Sequence, residues 1–227
     1  MHSTQHRFCR LLLSALALAA VACASLAGAE KKTKSAAAAE NTPADAPARP
    51  NKAPDVVYVP TPQSVVDRML ELAEVKPGDI VYDLGCGDGR IVVTAAKKYG
   101  VKAIGYDIDP QRVKEARENV RQAGVEHLVR IEEADVFTLD LTGASVVTLY
   151  LLPSLNVRLM PQLAKLKPGS RIVSHNFDMR GAKPLLVEHV QRKADDSSEG
   201  FYDEDMDHTV YKWVVPDRKS TRLNSSH

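Results

Sequence analysis

Short apolar runs alternate with amphipathic stretches through most of this chain, and that alternation is the feature that most restricts its fold. "TPQSVVDRMLELAEV" places Val65, Val66, Met69, Leu70 and Leu72 on one helical face, with Thr61 as the expected N-cap and Pro62 at the first helical position. "DIVYDL" reads as a buried strand, "DGRIVVTAAKKYG" as a helix closed by Gly100, "VKAIGYDI" as a second strand, and "PQRVKEARENVRQAG" as a helix from Pro110 to Gly124. "LVRIEEA", "ASVVTLYLL" and "SRIVSHNF" supply three more strands. Before the last of these, "PSLNVRLMPQLAKL" reads as a helix that Pro161 should kink or interrupt, because proline brings no amide hydrogen and crowds the preceding turn. "PLLVEHVQR" and "HTVYKWVV" have no convincing helix between them and are expected to pair as a C-terminal antiparallel hairpin. The prediction is an α/β fold: a Rossmann-like, doubly wound, mostly parallel seven-stranded sheet. Such sheets bind ligands beyond the C-terminal ends of their strands.

The two ends of the chain stand outside this pattern. Residues 1–29 carry Arg7 and Arg10, then an apolar run, then the small-residue pattern Ala27-Gly28-Ala29, and are expected to be a secretory signal peptide. "AVAC" offers a second, weaker expectation, a lipid on Cys23. Export to the periplasm follows from either, and a miscalled start would leave the protein cytoplasmic. Residues 30–54 are rich in Ala, Pro and Lys, hold no apolar side chain larger than alanine, and read as a tether. One choice of codons for Asp217–His227 reproduces a common sequencing-adapter read, so residues 217–227 are expected to be a non-native tail.

Residues 55–216 remain, about the size of one domain, with a monomer as the expectation and no membrane-spanning segment once the leader is cut. Of the 30 Lys and Arg, 7 precede Asp55 and 3 follow Pro216; of the 29 Asp and Glu, 3 and 1 do. The region is therefore net −5, which speaks against a broad nucleic-acid surface. A chain cut after Ala29 keeps only Cys86 and can form no intrachain disulfide.

The first strand runs into "VYDLGCGDGRI", with glycines at 85, 87 and 89. A dinucleotide fingerprint needs its third glycine three residues after the second, where this chain has Arg90, and a phosphate-binding P-loop needs Gly-Lys-Ser/Thr. Asp83 just before the glycines would repel a phosphate and suit an ammonium group. The ligand should carry a positive amine and lie close to bare backbone.

"DLGCGDG" resembles motif I of the class I, seven-strand methyltransferases that use S-adenosylmethionine, and the likeness extends from about Tyr58 to Val215. The resemblance implies that Asp83 faces the methionyl ammonium and that Gly85, Gly87 and Gly89 line the cofactor. It implies further that Asp107 in "GYDID" takes the ribose hydroxyls, that Ile108 packs on the adenine, and that Asp135 in "EEADVF" accepts from the adenine amino group. A carboxylate can accept two hydrogen bonds, which suits Asp107. "YVPTP" with "VVDRMLELA" is similar to the prokaryotic and mitochondrial protein-lysine methyltransferase branch, and so is "GSRIVSHNF". In that branch the segment closes over the methionine end, which brings in Tyr58 and Thr61. The prolines alone could equally serve to set the helix entry.

Many amino-group methyltransferases carry Asn/Asp-Pro-Pro-Tyr after strand four, and "LYLLPSLN" departs from it, which argues against nucleobase and glutamine acceptors. Tyr150 is the candidate for orienting the acceptor or holding the methyl region, or else an ordinary strand-end aromatic. His175 in "SHNFD" is expected to face the same cleft, as a general base or as a hydrogen-bonded loop histidine. "FYDEDMDH", Phe201 to His208, reads as a solvated acidic loop; recruitment of a lysine-bearing substrate is the functional alternative, and no metal-ligand spacing is recognised in it. The expected activity is direct methyl transfer from S-adenosylmethionine, with protein lysine as a candidate acceptor. The competing reading is a non-catalytic, exported module that binds the cofactor or a related nucleoside.

Overall fold

The computed structural model describes residues 57–191 and 207–217, so the expected leader, the tether, nearly all of the tail, and residues 201–206 of the acidic stretch lie outside the described residues. The elements run α1 (Gln63–Leu72), β1 (Ile80–Leu84), α2 (Arg90–Tyr99), β2 (Lys102–Asp107), α3 (Pro110–Gln122), β3 (Val129–Glu133), β4 (Val146–Leu149), α4 (Pro153–Leu163), β5 (Arg171–His175), β6 (Leu186–Val190) and β7 (His208–Val214). One 3-10 turn, Val136–Thr138, follows β3.

The seven strands form one sheet in the order β3-β2-β1-β4-β5-β7-β6. β1 to β5 are parallel, and β7 is antiparallel to both β5 and β6, so the expected hairpin is present with its second strand innermost. From β1 the chain winds outward to β2 and β3 and then returns to β4 on the other side of β1. A crevice opens at such a reversal, at the carboxyl ends of β1 and β4.

Both faces of the sheet are covered, and the strand period of two sorts residues between them. Val146 and Val173 pack with α1, α2 and α3 on one face; their neighbours Val147 and Ile172 pack with Leu159 and Leu163 of α4 on the other. Among the described residues, no helix is long and apolar enough to cross a membrane.

Two local expectations are corrected. Pro62, not Thr61, is the N-cap of α1, and no side chain caps that end. Thr61 is buried, and its hydroxyl is turned toward His175 instead. Pro161 does not stop α4, which runs two residues further. It sits in the last turn, where little helix remains to be disrupted.

The N-terminal ends of the strands are tied by Arg171, which donates to the carbonyls of Ala73 (2.9 Å) and Glu74 (3.2 Å) and pairs with Asp79. Burial pushes the Asp79 carboxyl up, but the Arg171 guanidinium, the Lys76 N–H and the Ser145 hydroxyl outweigh it and hold the group below its usual range. Arg171→Ala leaves that carboxylate buried without its cation and is expected to cost about 3–5 kcal/mol of stability. Urea unfolding should show the loss at neutral pH. Because the folded pKa of Asp79 is depressed, the contribution is present above the unfolded value of 3.8 and fades as pH falls through the folded one, so the two proteins should converge in acid.

Candidate active site

The glycine loop begins where β1 ends. The N–H groups of Gly85 and Cys86 both donate to the carbonyl of Tyr106 (2.8 and 2.9 Å), which holds the loop over the end of β2. Gly85, Gly87 and Gly89 all have φ between 54° and 82°, a region that side chains disfavour. Gly87 is the tightest of the three: a Cβ there would lie 2.1 Å from the Tyr58 ring. Gly89 serves packing, its bare Cα set against Ala116 of α3, and contrary to expectation neither Gly87 nor Gly89 lines the cavity.

Below the loop is a cavity of about 270 Å³. Tyr58, Thr61, Asp83, Gly85, Asp107, Ile108, Asp135 and Tyr150 all line it. Five carboxylates (Asp83, Asp88, Asp107, Asp109, Asp135) and two guanidiniums (Arg90, Arg112) face it, a balance that favours a ligand with net positive charge.

Asp83 forms its floor. The β1–β4 register sets Asp83 beside Thr148, whose hydroxyl donates to Asp83 Oδ1 at 2.7 Å. Asp83 Oδ2 is buried with no hydrogen-bond partner, a costly state unless a donor arrives. Burial pushes the Asp83 carboxyl up to about 7, with the charges of Asp107 and Asp88 adding to the rise and the Thr148 hydroxyl opposing it.

Asp107, at the end of β2, accepts from Gly87 N–H (2.8 Å) and Asp109 N–H (3.0 Å), which fixes the carboxylate plane; burial raises this group as well. Each oxygen keeps a second lone pair. Asp135 caps the 3-10 turn by accepting from Phe137 N–H at 3.0 Å. Asp107 and Asp135 are thus themselves held by backbone amides, and Asp83 by a hydroxyl.

Several lining residues were not foreseen. Asp88 and Arg90 form a close ion pair (2.6 Å), and Arg90 also donates to the Thr61 carbonyl at 2.9 Å, so the pair ties the incoming segment Tyr58–Thr61 to the glycine loop. Burial and the adjacent Asp88 charge raise the Tyr58 phenol, and the Arg112 guanidinium lies 4.9 Å from its ring centre. The acid–base pair was visible in "GDGR" as a local spacing, although nothing there assigned it a partner across the cavity.

The far wall is aromatic and apolar. Tyr150 and Phe177 stack with centroids 6.0 Å apart, beside Leu151, Leu152 and Leu155. Asn156 Nδ2 holds the Phe177 and Asp178 carbonyls (both 3.2 Å), and Asn176 adopts φ 58°, ending β5 and turning Phe177 toward the cavity. That turn breaks strand alternation, so Phe177 could not be placed from the pattern. His175 does not face the cleft as expected. It is fully buried behind Tyr150, and burial with the neighbouring His208 pushes it down to about 3, too low for a general base near neutral pH. His208, read as part of an acidic loop, is likewise buried.

Residues 83–186 match the ANTKMT methyltransferase domain. A protein-lysine N-methyltransferase of Saccharolobus islandicus is 47% identical over 168 residues, which cover 73% of this chain and 98% of that protein. An adenine nucleotide translocase lysine N-methyltransferase of Mus musculus is 36% identical over 134 residues, covering 58% of each chain. Among solved structures, an RNA methyltransferase from Salinibacter ruber in complex with S-adenosyl-L-homocysteine is 47% identical, with a TM-score of 0.61, over 70% of this chain and 95% of that one.

Proposed function

The chain belongs to the class I S-adenosylmethionine-dependent methyltransferases, and from that premise we propose that it methylates the side-chain amine of a protein lysine. The observation that carries the reading is the 47% identity spanning 98% of a protein-lysine N-methyltransferase. The RNA named for the Salinibacter ruber protein is the competing acceptor. The net −5 charge of residues 55–216 speaks against it, because RNA affinity draws on Lys and Arg set against phosphates. The comparisons lend no support to a binding module without activity.

The site residues fit the cofactor. The unpartnered Asp83 Oδ2 takes the methionyl ammonium. The open lone pairs of Asp107 take the ribose hydroxyls, Ile108 and Val136 offer apolar surface to the adenine, and Asp135 lies within the same wall. When bound, S-adenosylmethionine supplies a methyl on a cationic sulfur that leaves as a neutral thioether, so the cofactor carries the hard chemistry. The protein holds donor and acceptor in line and keeps water away. A lysine ammonium must first lose a proton to solvent on its way in, and the apolar wall of Tyr150, Phe177 and Leu152 favours the neutral amine over the charged one. Tyr150 orients it.

The test is to incubate the protein with labelled S-adenosylmethionine and either lysine-bearing proteins or RNA, and to hydrolyse the product. Methyl-lysine is the expected label, and methylated nucleosides alone would overturn the reading. Phe177→Ala opens the far wall without touching the carboxylates. It is expected to raise the acceptor KM about tenfold while S-adenosylmethionine affinity stays within about twofold.

A further inference from the structure

Two fully buried histidines lie behind the cavity wall, and neither lines the cavity. His175 Nε2 and His208 Nδ1 are 2.9 Å apart, and His175 Nδ1 is 3.2 Å from Thr61 Oγ1. The Tyr150 ring tilts against His175 with centroids 4.0 Å apart. One imidazole therefore touches two residues of the cavity wall, Thr61 and Tyr150, and is itself held from β7 by a second imidazole.

A buried imidazole is costly unless its nitrogens are paired, and an apolar side chain would fill the same space without that demand. The polar line must do something that packing alone does not. Neutral imidazole offers one donor and one acceptor, which allows two consistent proton orders. In one, the Thr61 hydroxyl donates to His175 Nδ1 and His175 Nε2–H donates to His208 Nδ1. In the other, both bonds reverse. Either order fixes the Thr61 hydroxyl, leaving its carbonyl to Arg90. Thr61 is then anchored on both sides, as is the segment back to Tyr58.

We propose that His208 is a positioning residue for the methyl-donor cavity, acting through His175 to fix Thr61, Tyr150 and the Tyr58–Thr61 wall. The inference rests on that cavity being the S-adenosylmethionine site. His208 lies 147 positions from Thr61 in sequence and is linked to it through His175, so the signature is energetic coupling carried across that imidazole.

The experiment is a calorimetric titration of the full chain with S-adenosylmethionine, run on the parent, Thr61→Val, His208→Leu and the double variant, with thermal unfolding recorded for each. Each single change is expected to raise Kd roughly tenfold, and the double variant should show about the same tenfold loss, since both break one line of hydrogen bonds. His208→Asn keeps a polar atom near the position of Nδ1 and should recover most of the affinity. His208→Gln places its amide nearer the position of Nε2 and should not, which gives a substitute for the cycle should His208→Leu fail to fold. A hundredfold loss in the double variant would overturn the inference, and so would an unchanged Kd with only a lowered Tm. Failure of the parent to bind S-adenosylmethionine would instead overturn the cofactor reading itself.

Discussion

Asp83→Asn is expected to remove S-adenosylmethionine binding almost completely while leaving the folded protein at least as stable as the parent. The carboxylate is buried, one oxygen is satisfied by Thr148, and the other has no partner. An amide keeps the shape and can still accept from Thr148, yet it carries no charge for an ammonium and offers N–H groups that would meet the ammonium donors head-on. Losing one member of a buried charge pair costs about 2–5 kcal/mol of binding, roughly thirtyfold to several thousandfold in Kd. The free protein, in contrast, is relieved of a buried carboxylate with neighbouring carboxylates at 88 and 107. Titration calorimetry and urea unfolding on the same variant separate the two effects. A variant that bound normally would remove Asp83 from the site.

The same group sets the sign of two pH dependences. Asp83 is pushed up to about 7, from an unfolded value of 3.8, by burial first and by Asp107 and Asp88 second. If Asp83 receives the ammonium as proposed, its anionic form is the one that does so, and affinity should be level above that pKa and fall about tenfold per pH unit below it. Stability of the free protein runs the other way. Between 3.8 and 7 the folded chain holds a proton that the unfolded chain has released, so stability declines as pH rises through this window. Asp83→Asn should flatten this contribution along with the affinity profile.

What the sequence could and could not announce follows from the range of the interactions involved. Alternation of period 2 and period 3.6 is local, so five parallel strands, their helices and the closing hairpin were legible, as was the glycine loop at the end of β1. Thr61 was misassigned for an equally physical reason: a threonine before a helix is a good cap, but a buried imidazole from β5 competes for the same hydroxyl and wins. His175 and His208 are 33 residues apart and meet only because β7 runs back antiparallel along β5. Phe177 reaches the cavity only because Asn176 leaves the strand conformation. The cavity carboxylates Asp83, Asp107 and Asp135 sit at or just beyond strand ends, where order along the chain predicts position. The aromatic wall depends on turns that it does not.

Gly87→Ala is expected to weaken cofactor binding about a hundredfold or more through a residue that the substitution does not alter. Two costs coincide at this position. Its φ of 54° costs any L side chain about 1–2 kcal/mol, which the turn could absorb. The second cost cannot be absorbed in place, because the new Cβ would lie 2.1 Å from Tyr58 Cε2 and 2.6 Å from Cδ2, far inside contact distance. Either the loop moves or Tyr58 does. The loop is fixed by Gly85 and Cys86 on the Tyr106 carbonyl, by Gly87 N–H on Asp107, and by Arg90 on Asp88. Tyr58 precedes α1 and belongs to no helix or strand, so it is the cheaper part to displace. Its departure strips one wall from the cavity and takes with it the contact between the Tyr58 ring and the Arg112 guanidinium. Gly85→Ala makes the comparison: its φ of 82° is as unfavourable, but the neighbour it meets is the end of a flexible leucine, Leu151 Cδ2 at 3.0 Å. Titration of both variants should therefore give about a hundredfold or greater loss for Gly87→Ala and a clearly smaller one for Gly85→Ala, with unfolding midpoints lowered to a similar degree. Tyr58→Ala in the Gly87→Ala background decides the cause. If displacement of the ring is what removes binding, deleting the ring costs little further affinity, and if the two losses multiply, the glycine acts through the cofactor directly.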